Sequence, residues 1–381
     1  MNILKRQYYI DKITFLFKVN PILAILGPRQ CGKTTLARMV AAQFSEPVHW
    51  FDLENPTDLM RLQAPLLSLQ DLRGLIVIDE IQKRPDFFPV LRVLIDQHRD
   101  TQRYLILGSV SRDLTQQSSE SLTGRISYME LPPFSYPEVP AFNELWIRGG
   151  FPGSYLAATE AISWEWRKAY ISTFLERDIP NLGITIPPQT IRRFWMMLSH
   201  YHGNIFNASE MGQSLGVAHT TARHYLDILT GTFMIRELLP WFENIKKRQI
   251  KSPKIYFRDS GIYHLLLNVS NQDALTLHPK LGASWEGFAL ESVIRHHHIA
   301  PEEAYFWGVH GQGELDLLLF QNGKRLGFEF KYTDQPTVTA SMHLALNCLG
   351  LDELIVIFPG AHDFPLANNV RAIGLKAYLK T

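Results

Sequence analysis

The stretch that decides the fold is GPRQCGKT at residues 27–34, which follows the apolar run PILAIL at residues 21–26. It matches the phosphate-loop pattern G-x-x-x-x-G-K-[ST] at every fixed position. The two glycines permit backbone geometry that side chains would block, so loop amides can point at an anion beside a helix N-terminus. The context therefore predicts a buried strand, a phosphate-binding loop and a helix in direct succession.

The residues of this loop are the candidate ligands of ATP and its Mg²⁺. Lys33 would contact the β- and γ-phosphates, and Thr34 would ligate the metal. Cys31 occupies a variable position, where we expect filler rather than a redox switch. The predicted nucleotide-binding set is Gly27, Pro28, Arg29, Gln30, Cys31, Gly32, Lys33, Thr34 and Thr35.

A second motif, LIVIDE at residues 75–80, consists of four apolar residues followed by two carboxylates. A strand that ends at Asp79 would place this carboxylate on the Mg²⁺ side of the phosphates, as a second metal ligand. Glu80 would then polarise the water that attacks the γ-phosphate. Together with the phosphate loop, the motif favours ATP hydrolysis over simple nucleotide binding.

Two further residues are candidates for the catalytic site. Ser109 follows the apolar residues 104–107 and would lie between the two motifs, where it either senses the γ-phosphate or forms a turn. Arg125 ends the segment SLTGR at residues 121–125. In a ring-forming ATPase such an arginine reaches the neighbouring subunit's nucleotide, and a plain surface arginine is the alternative. The predicted catalytic set is Lys33, Asp79, Glu80, Ser109 and Arg125.

Apolar segments and amphipathic helical segments alternate through the first 130 residues. Buried strands are predicted at residues 21–26, 48–53, 75–79 and 104–107, with helices at residues 33–44 and 87–99 among those between them. This alternation implies an α/β fold with a parallel sheet that is covered on both faces. The segment LPPFSYPEVP at residues 131–140, with its four prolines, marks the exit from this domain.

Composition excludes several classes of protein. The 381 residues carry 38 Lys+Arg and 37 Asp+Glu, so the chain is not a histone-like polycation, although local basic patches stay possible. Two cysteines exclude a disulfide-rich scaffold and a multi-cysteine zinc site. No apolar run approaches the roughly 18 residues of a membrane helix, and early charges argue against a signal peptide. We expect a soluble cytoplasmic protein without a membrane partner.

Residues 207–229, NASEMGQSLGVAHTTARHYLDIL, are typical of a helix–turn–helix. Asn207 would cap the first helix, Gly216 would end it, and a second helix would follow. Residues 234–239 and 254–257 are the predicted strands of a wing, and the basic run between them would contact DNA phosphates. The alternative is a helix pair that packs against protein. The predicted DNA-binding residues are Arg223, His224, Lys246, Lys247, Arg248 and Lys251.

The last hundred residues hold a set of charged side chains. Glu286 lies in an apolar helical segment, Asp316 in GELDLLL, and Glu329 and Lys331 in FEFKY, where strand alternation puts them on one face. Three carboxylates would make a hard-oxygen Mg²⁺ site and the lysine would position water, as in PD-(D/E)xK nucleases. The alternatives are a salt-bridged strand pair and a nuclease-like fold retained as a structural or DNA-gripping module.

With these parts together, the chain resembles a prokaryotic family of AAA-type ATPases whose C-terminal domain of unknown function contains a winged helix and a PD-(D/E)xK-like unit. The resemblance covers nearly the full length. One departure is LGS at residues 107–109, which lacks the threonine expected before the Gly-Ser pair. The matching segments are GPRQCGKTT (27–35), LIVIDEIQKRPD (75–86), SLTGR (121–125), LPPFSYPE (131–138), GGFP (149–152), ERDI (176–179), GELDLLL (313–319) and FEFKY (328–332).

The resemblance implies ATP binding, hydrolysis and DNA association, and related AAA motors work as homo-oligomeric rings, commonly hexamers. We expect an ATP-driven motor that acts on DNA, with junctions or forks as candidate substrates. The alternatives are an ATP-regulated, Mg²⁺-dependent structure-specific nuclease and a nucleotide-gated switch that binds protein instead of DNA. The expected regions are a P-loop AAA-type ATPase domain (1–140), a helical lid or linker (141–189), a winged helix-turn-helix domain (190–275) and a restriction-endonuclease-like α/β domain (276–381).

Overall fold

The computed structural model describes residues 4–109, 121–243 and 249–380. The chain forms two compact units, each with its own sheet. The first unit comprises Met1–Pro133 and Gly231–Phe233, and the second comprises Phe134–Thr230 and Met234–Thr381.

The first unit is an α/β sandwich around a parallel sheet of five strands in the order β2-β3-β4-β1-β5. The α/β prediction is confirmed, and the four predicted strands coincide with β1–β4 within two residues at each end. The elements in chain order are α1 (Gln7–Val19), β1 (Ile22–Leu26), α2 (Lys33–Ala41), β2 (Val48–Asp52), α3 (Pro56–Arg61), α4 (Pro65–Leu69), β3 (Gly74–Asp79), α5 (Phe87–His98), β4 (Gln102–Gly108) and β5 (Ile126–Glu130).

The three inner strands β1, β3 and β4 are buried on both faces, as their near-continuous apolar sequence requires, whereas the edge strands β2 and β5 are partly exposed. Ile76 and Ile78 of β3 pack on the α5 side, whereas Leu75 and Val77 pack on the side of α1 and α2. Burying each such side chain contributes about 1.5–3 kcal/mol relative to exposure. The sheet is therefore a rigid platform for the loops that leave the carboxyl ends of its strands.

The second unit begins with helices and continues into a mixed sheet of nine strands in the order β13-β14-β12-β11-β10-β9-β7-β8-β6. Its helical elements are α6 (Phe142–Arg148), α7 (Pro152–Tyr155), α8 (Glu160–Thr173), α9 (Ile179–Asn181), α10 (Pro188–Ser199), α11 (Ala208–Leu215), α12 (His219–Gly231), α13 (Ser260–Leu266), α14 (Gln272–Thr276), α15 (Leu281–His296), α16 (Ala340–Leu349) and α17 (Leu375–Tyr378). Its strands are β6 (Asn204–Ile205), β7 (Ile235–Pro240), β8 (Lys254–Phe257), β9 (Ala304–Val309), β10 (Gly313–Gln321), β11 (Lys324–Phe330), β12 (Glu353–Phe358), β13 (Asp363–Ala367) and β14 (Val370–Gly374).

Helices α11 and α12 form the predicted helix pair. The Asn207 side chain accepts hydrogen bonds from the amides of Ser209 and Glu210, and Gly216 ends α11 in the left-handed conformation at φ 74°. Both predicted boundary signals are confirmed. The apolar face of α12 is buried in the core of the second unit, and β6, β8 and β7 follow as an antiparallel group. The buried residues of α12 include Ala222, Tyr225, Leu226 and Leu229.

A buried carboxylate ties α15 to β7 and β8. Glu291 of α15 accepts hydrogen bonds from Arg236 of β7, with Nη2 3.2 Å from Oε2. Arg295 lies 3.4 Å and Arg258 3.9 Å from the same oxygen. Burial alone would raise the pKa of Glu291, but the three guanidinium groups lower it to about 2. Glu291 is therefore ionised at neutral pH and holds these elements together.

Within the described ranges, every helix is too short or too polar to cross a membrane.

Candidate functional site

The phosphate loop connects β1 to α2 at the carboxyl edge of the first unit's sheet. A Cβ atom at Gly27 would lie 2.3 Å from the carbonyl oxygen of Leu131, and Gly32 has a φ of 99°. Both positions therefore favour glycine, the first for space and the second for backbone conformation. Lys33 Nζ donates hydrogen bonds to the carbonyl oxygens of Gly27 and Pro28, both at 2.9 Å. The ammonium group is thus held by carbonyl oxygens of its own loop, and its contact with phosphates stays a prediction.

The other loop residues differ in exposure. Pro28 and Cys31 are buried, whereas Gln30 and Thr35 are exposed. Burial raises the pKa of the Cys31 thiol. A thiol in that environment is a poor nucleophile, which favours the interpretation that Cys31 has a packing role and is not a redox switch.

The two nucleotide motifs meet in one contact. Thr34 Oγ1 donates a hydrogen bond of 2.8 Å to Asp79 Oδ2 at the end of β3. The Glu80 amide donates to the other carboxylate oxygen at 2.9 Å, and burial raises the pKa of Asp79. A hydroxyl beside a carboxylate is a donor set that Mg²⁺ accepts, so these two side chains fit the expected metal.

The Glu80 carboxylate is part of a salt-bridge network that the sequence motifs do not reveal. Glu80 has a left-handed backbone at φ 56°. Arg29 Nη2 lies 3.2 Å from Glu80 Oε2 and 3.1 Å from Glu54 Oε1. Gln82 also donates to Glu80, and Lys83 pairs with Glu54 at 3.1 Å. An arginine of the phosphate loop therefore holds the candidate catalytic base.

Ser109 lies where the sequence predicts. Strand β4 is inserted between β1 and β3, and Ser109 directly follows it, so the residue sits between the two motif-bearing strands. Its side chain is 6% exposed, and its Oγ has no hydrogen-bond partner among the residues that the structure describes. Buried hydroxyls are normally paired, so this position is available to a ligand oxygen.

Arg125 lies at the opposite edge of the same sheet. It directly precedes β5, and Ile126 pairs with Ile22 at the start of β1, whereas the phosphate loop leaves the end of β1. Five residues at about 3.3 Å each put roughly 16 Å between the two edges. Arg125 forms a bidentate salt bridge with Asp96, in which Nε lies 2.6 Å from Oδ1 and Nη2 lies 3.0 Å from Oδ2. Arg125 therefore does not lie beside the phosphate loop of its own chain.

Only some of the predicted DNA-binding residues are exposed and so accessible to DNA. Arg223 Nη2 lies 2.7 Å from Asp227 Oδ1 and 2.5 Å from Glu237 Oε1, so two acids of the same unit hold its guanidinium group. His224 and Lys251 are exposed. The remaining three, Lys246, Lys247 and Arg248, lie outside the described residues.

The predicted C-terminal set does come together. Lys331 Nζ lies 2.6 Å from Glu329 Oε2 and 3.7 Å from Asp316 Oδ2, which confirms their shared face. The pairing of β10 with β9 shifts register between Leu315 and Leu318, and such a bulge re-aims side chains. Burial, reinforced by the nearby Asp316 carboxylate, raises the pKa of Glu286 to about 7 and that of Glu329 to about 8.

Two residues of this cluster escaped the sequence motifs. Tyr256 donates a hydrogen bond of 2.7 Å to Glu286 Oε1. Lys254 Nζ lies 3.4 Å from Glu314 Oε2 and 3.6 Å from Asp316 Oδ1. Both belong to β8, which precedes the nuclease-like motifs in the chain. The only signal for them in the sequence is a lysine at the start of an otherwise apolar strand segment.

Three family profiles match consecutive parts of the chain. Residues 19–140 match an AAA domain. Residues 139–273 match the domain of unknown function DUF8612, and residues 281–378 match the domain of unknown function DUF4143.

The uncharacterized proteins Rv2008c of Mycobacterium tuberculosis and Mb2031c of Mycobacterium bovis are both 49% identical over 363 residues, which cover 95% of this chain and 81% of theirs. Among solved structures, the Walker-type ATPase PABY2304 of Pyrococcus abyssi is similar with a TM-score of 0.51 and 16% identity, over 70% of this chain and 96% of that one. That likeness concerns the fold alone. The chain therefore belongs to the same family as the two mycobacterial proteins, and its first unit carries an AAA domain of the P-loop ATPase type.

Proposed function

We propose that this protein is an ATP-hydrolysing motor that acts on DNA. ATP hydrolysis is supported by the contact between Thr34 and Asp79, because Glu80 is the residue that directly follows Asp79. A loop that only stores a nucleotide needs a phosphate cradle and a metal ligand. The additional carboxylate beside the metal ligand is the group that hydrolysis requires.

Each residue of the site has a role in this proposal. Lys33 and the loop amides neutralise the β- and γ-phosphates, while Thr34 and Asp79 hold Mg²⁺, which would supply positive charge to the phosphate oxygens. Glu80 orients and deprotonates water. Its carboxylate is paired with Arg29, so that pair has to open before the carboxylate can accept a proton from water.

Exchanging Glu80 for glutamine tests the catalytic base. Glu80→Gln keeps the size of the side chain but removes its basicity, so steady-state ATP turnover should fall at least about 100-fold. Affinity for a fluorescent ATP analogue should stay within a few-fold of the parent. Glu46→Gln, an exposed position of the same unit, is the matched control and should retain full turnover. Parent-like turnover in Glu80→Gln would overturn the assignment.

A homo-oligomeric ring, as large as a hexamer, is the second part of the proposal. Arg125 sits at the sheet edge opposite its own phosphate loop, so its role in transition-state stabilisation requires a neighbouring subunit. The salt bridge with Asp96 holds the guanidinium group in one place until a phosphate competes for it.

A mixing experiment tests this role in trans. Arg125→Ala and Glu80→Gln should each be nearly inactive alone. In an equimolar mixture that has exchanged subunits, one interface in four joins an intact Glu80 to an intact Arg125, so about a quarter of the parent ATPase rate should return. A mixture that is no faster than the mean of its two components contradicts action between subunits.

DNA association is the third part of the proposal. The helix pair α11–α12 and the antiparallel strands β6, β8 and β7 follow the order of a winged helix, and His224 and Lys251 are exposed on that region. The connection between β7 and β8 is the predicted basic wing. We propose that it contacts phosphates without reading bases, and that junctions or forks are the preferred substrates.

Removing one wing charge tests the phosphate contacts. Lys251→Ala should weaken binding of labelled DNA uniformly across sequences and lower the slope of log affinity against log salt by about 0.9, the share of one phosphate contact. Fluorescence anisotropy at several salt concentrations measures both. Lys324→Ala, exposed in the β10–β11 hairpin, is the control and should change neither. An unchanged slope in Lys251→Ala would remove this residue from the interface.

A nucleotide-gated switch that binds protein is the competing proposal, and one observation favours it. Arg223, on the helix that would enter a DNA groove, is already paired with Asp227 and Glu237. A helix whose basic residue is neutralised within its own unit is poorly suited to phosphates and better suited to a protein surface. Slow hydrolysis together with no salt-dependent DNA affinity would favour the switch.

A further inference from the structure

The Lys254 side chain lies inside the carboxylate cluster of the second unit. The residue is 3% exposed, and its ammonium nitrogen is 3.4 Å from Glu314 Oε2 and 3.6 Å from Asp316 Oδ1. It also lies 5.6 Å from the ring centroid of Phe306. Burial would lower the pKa of Lys254, but Asp316 and the other carboxylates raise it above its ordinary value, so the side chain stays a cation.

The cluster already contains two cations, which offset most of its negative charge without a metal ion. Its largely buried acids are Glu286, Asp316 and Glu329, and its cations are Lys254 and Lys331. Fully ionised, this set carries one excess negative charge. The Lys254 ammonium lies against both Asp316 Oδ1 and Glu314 Oε2, so a divalent ion bound to Asp316 Oδ1 would have to displace it. Buried charges are tolerated when they are paired, so Lys254 and a divalent ion are alternatives.

Both oxygens of Asp316 are engaged, whereas Glu329 Oε1 is buried without a hydrogen-bond partner among the described residues. Asp316 Oδ2 accepts a hydrogen bond of 3.1 Å from the Phe330 amide and faces Lys331, while Asp316 Oδ1 faces Lys254. Glu286 accepts from Tyr256. Throughout the described part of the chain, no group of three or more His, Cys, Asp or Glu side chains is arranged to hold one metal ion. The donor set therefore does not fit the Mg²⁺ that a PD-(D/E)xK nuclease requires.

We propose that Lys254 is the resident cation of this cluster and that it excludes a divalent metal. The C-terminal domain then has a structural or DNA-binding role and holds no metal ion. Mg²⁺-dependent cleavage at these residues is not its activity. The cation comes from β8, which is anchored by β7 and by the Glu291 contacts to α15. This inference is independent of ATP hydrolysis, so its failure leaves the proposed ATPase function untouched.

Titration of the full chain with Mn²⁺ tests the proposal. All proteins carry Asp79→Asn, which silences the metal site of the first unit, and bound Mn²⁺ is measured by electron paramagnetic resonance and calorimetry without nucleotide. The parent should show no binding that depends on Asp316. Lys254→Gln, which removes the ammonium charge, should bind Mn²⁺ at least about tenfold more tightly than the parent. Adding Asp316→Asn to Lys254→Gln should abolish the gain.

The matched control is Lys324→Gln, which removes an exposed lysine at the start of β11 and should leave Mn²⁺ binding unchanged. Two results overturn the proposal. One is a Mn²⁺ site in the parent that Asp316→Asn removes, since metal and Lys254 would then coexist; this comparison holds even if Lys254→Gln does not fold. The other is a folded Lys254→Gln that gains no Mn²⁺ affinity over the parent.

Discussion

The hydrogen bond from Thr34 to Asp79 is the contact on which the candidate nucleotide site of the first unit depends. It joins the first turn of α2, which follows β1, to the end of β3, although β4 lies between these strands in the sheet. Parallel strands bring their carboxyl ends to one edge, so residues far apart in the chain meet there. The same edge carries Glu80 and Ser109, whereas Arg125 is left at the other. One arrangement of strands thus places Glu80 and Ser109 beside the phosphate loop and Arg125 away from it.

The second unit depends on paired buried charges. Glu291 is surrounded by three arginines, and Asp316 faces two lysines. Removing one partner from such a group leaves an uncompensated charge in a low dielectric, which typically costs about 3–5 kcal/mol. These pairings keep β8 and α15 in fixed places, and they also remove several charged groups from the set that can serve an external ligand.

Much of the first unit could be predicted from the sequence, because its signals are local. Fixed spacing identifies Lys33 and Thr34, and an apolar run identifies the strand before Asp79. The pairing of Arg29 with Glu80 and Glu54 could not be predicted, because it joins three loops whose proximity depends on strand order. In the C-terminal region, alternation predicts that Glu329 and Lys331 share a face.

The position of Lys254 could not be predicted from a sequence motif. It reaches Asp316 from a strand that lies about sixty residues earlier, and no fixed spacing relates the two. The motif therefore indicates three carboxylates and one lysine, but it omits the second lysine that changes the chemistry of the cluster. A degenerate motif of charged residues predicts which side chains lie close together. The helices and strands that pack against those side chains determine what they can bind.

We propose that ATP hydrolysis in the first unit serves work on DNA. The most direct test is the steady-state ATPase rate of the full chain without DNA, with duplex, with single strand and with a four-way junction, at two salt concentrations. We predict stimulation that is strongest with the junction and that weakens as salt rises, because phosphate contacts are screened. A rate that is indifferent to every DNA would contradict it and would favour a protein-binding switch.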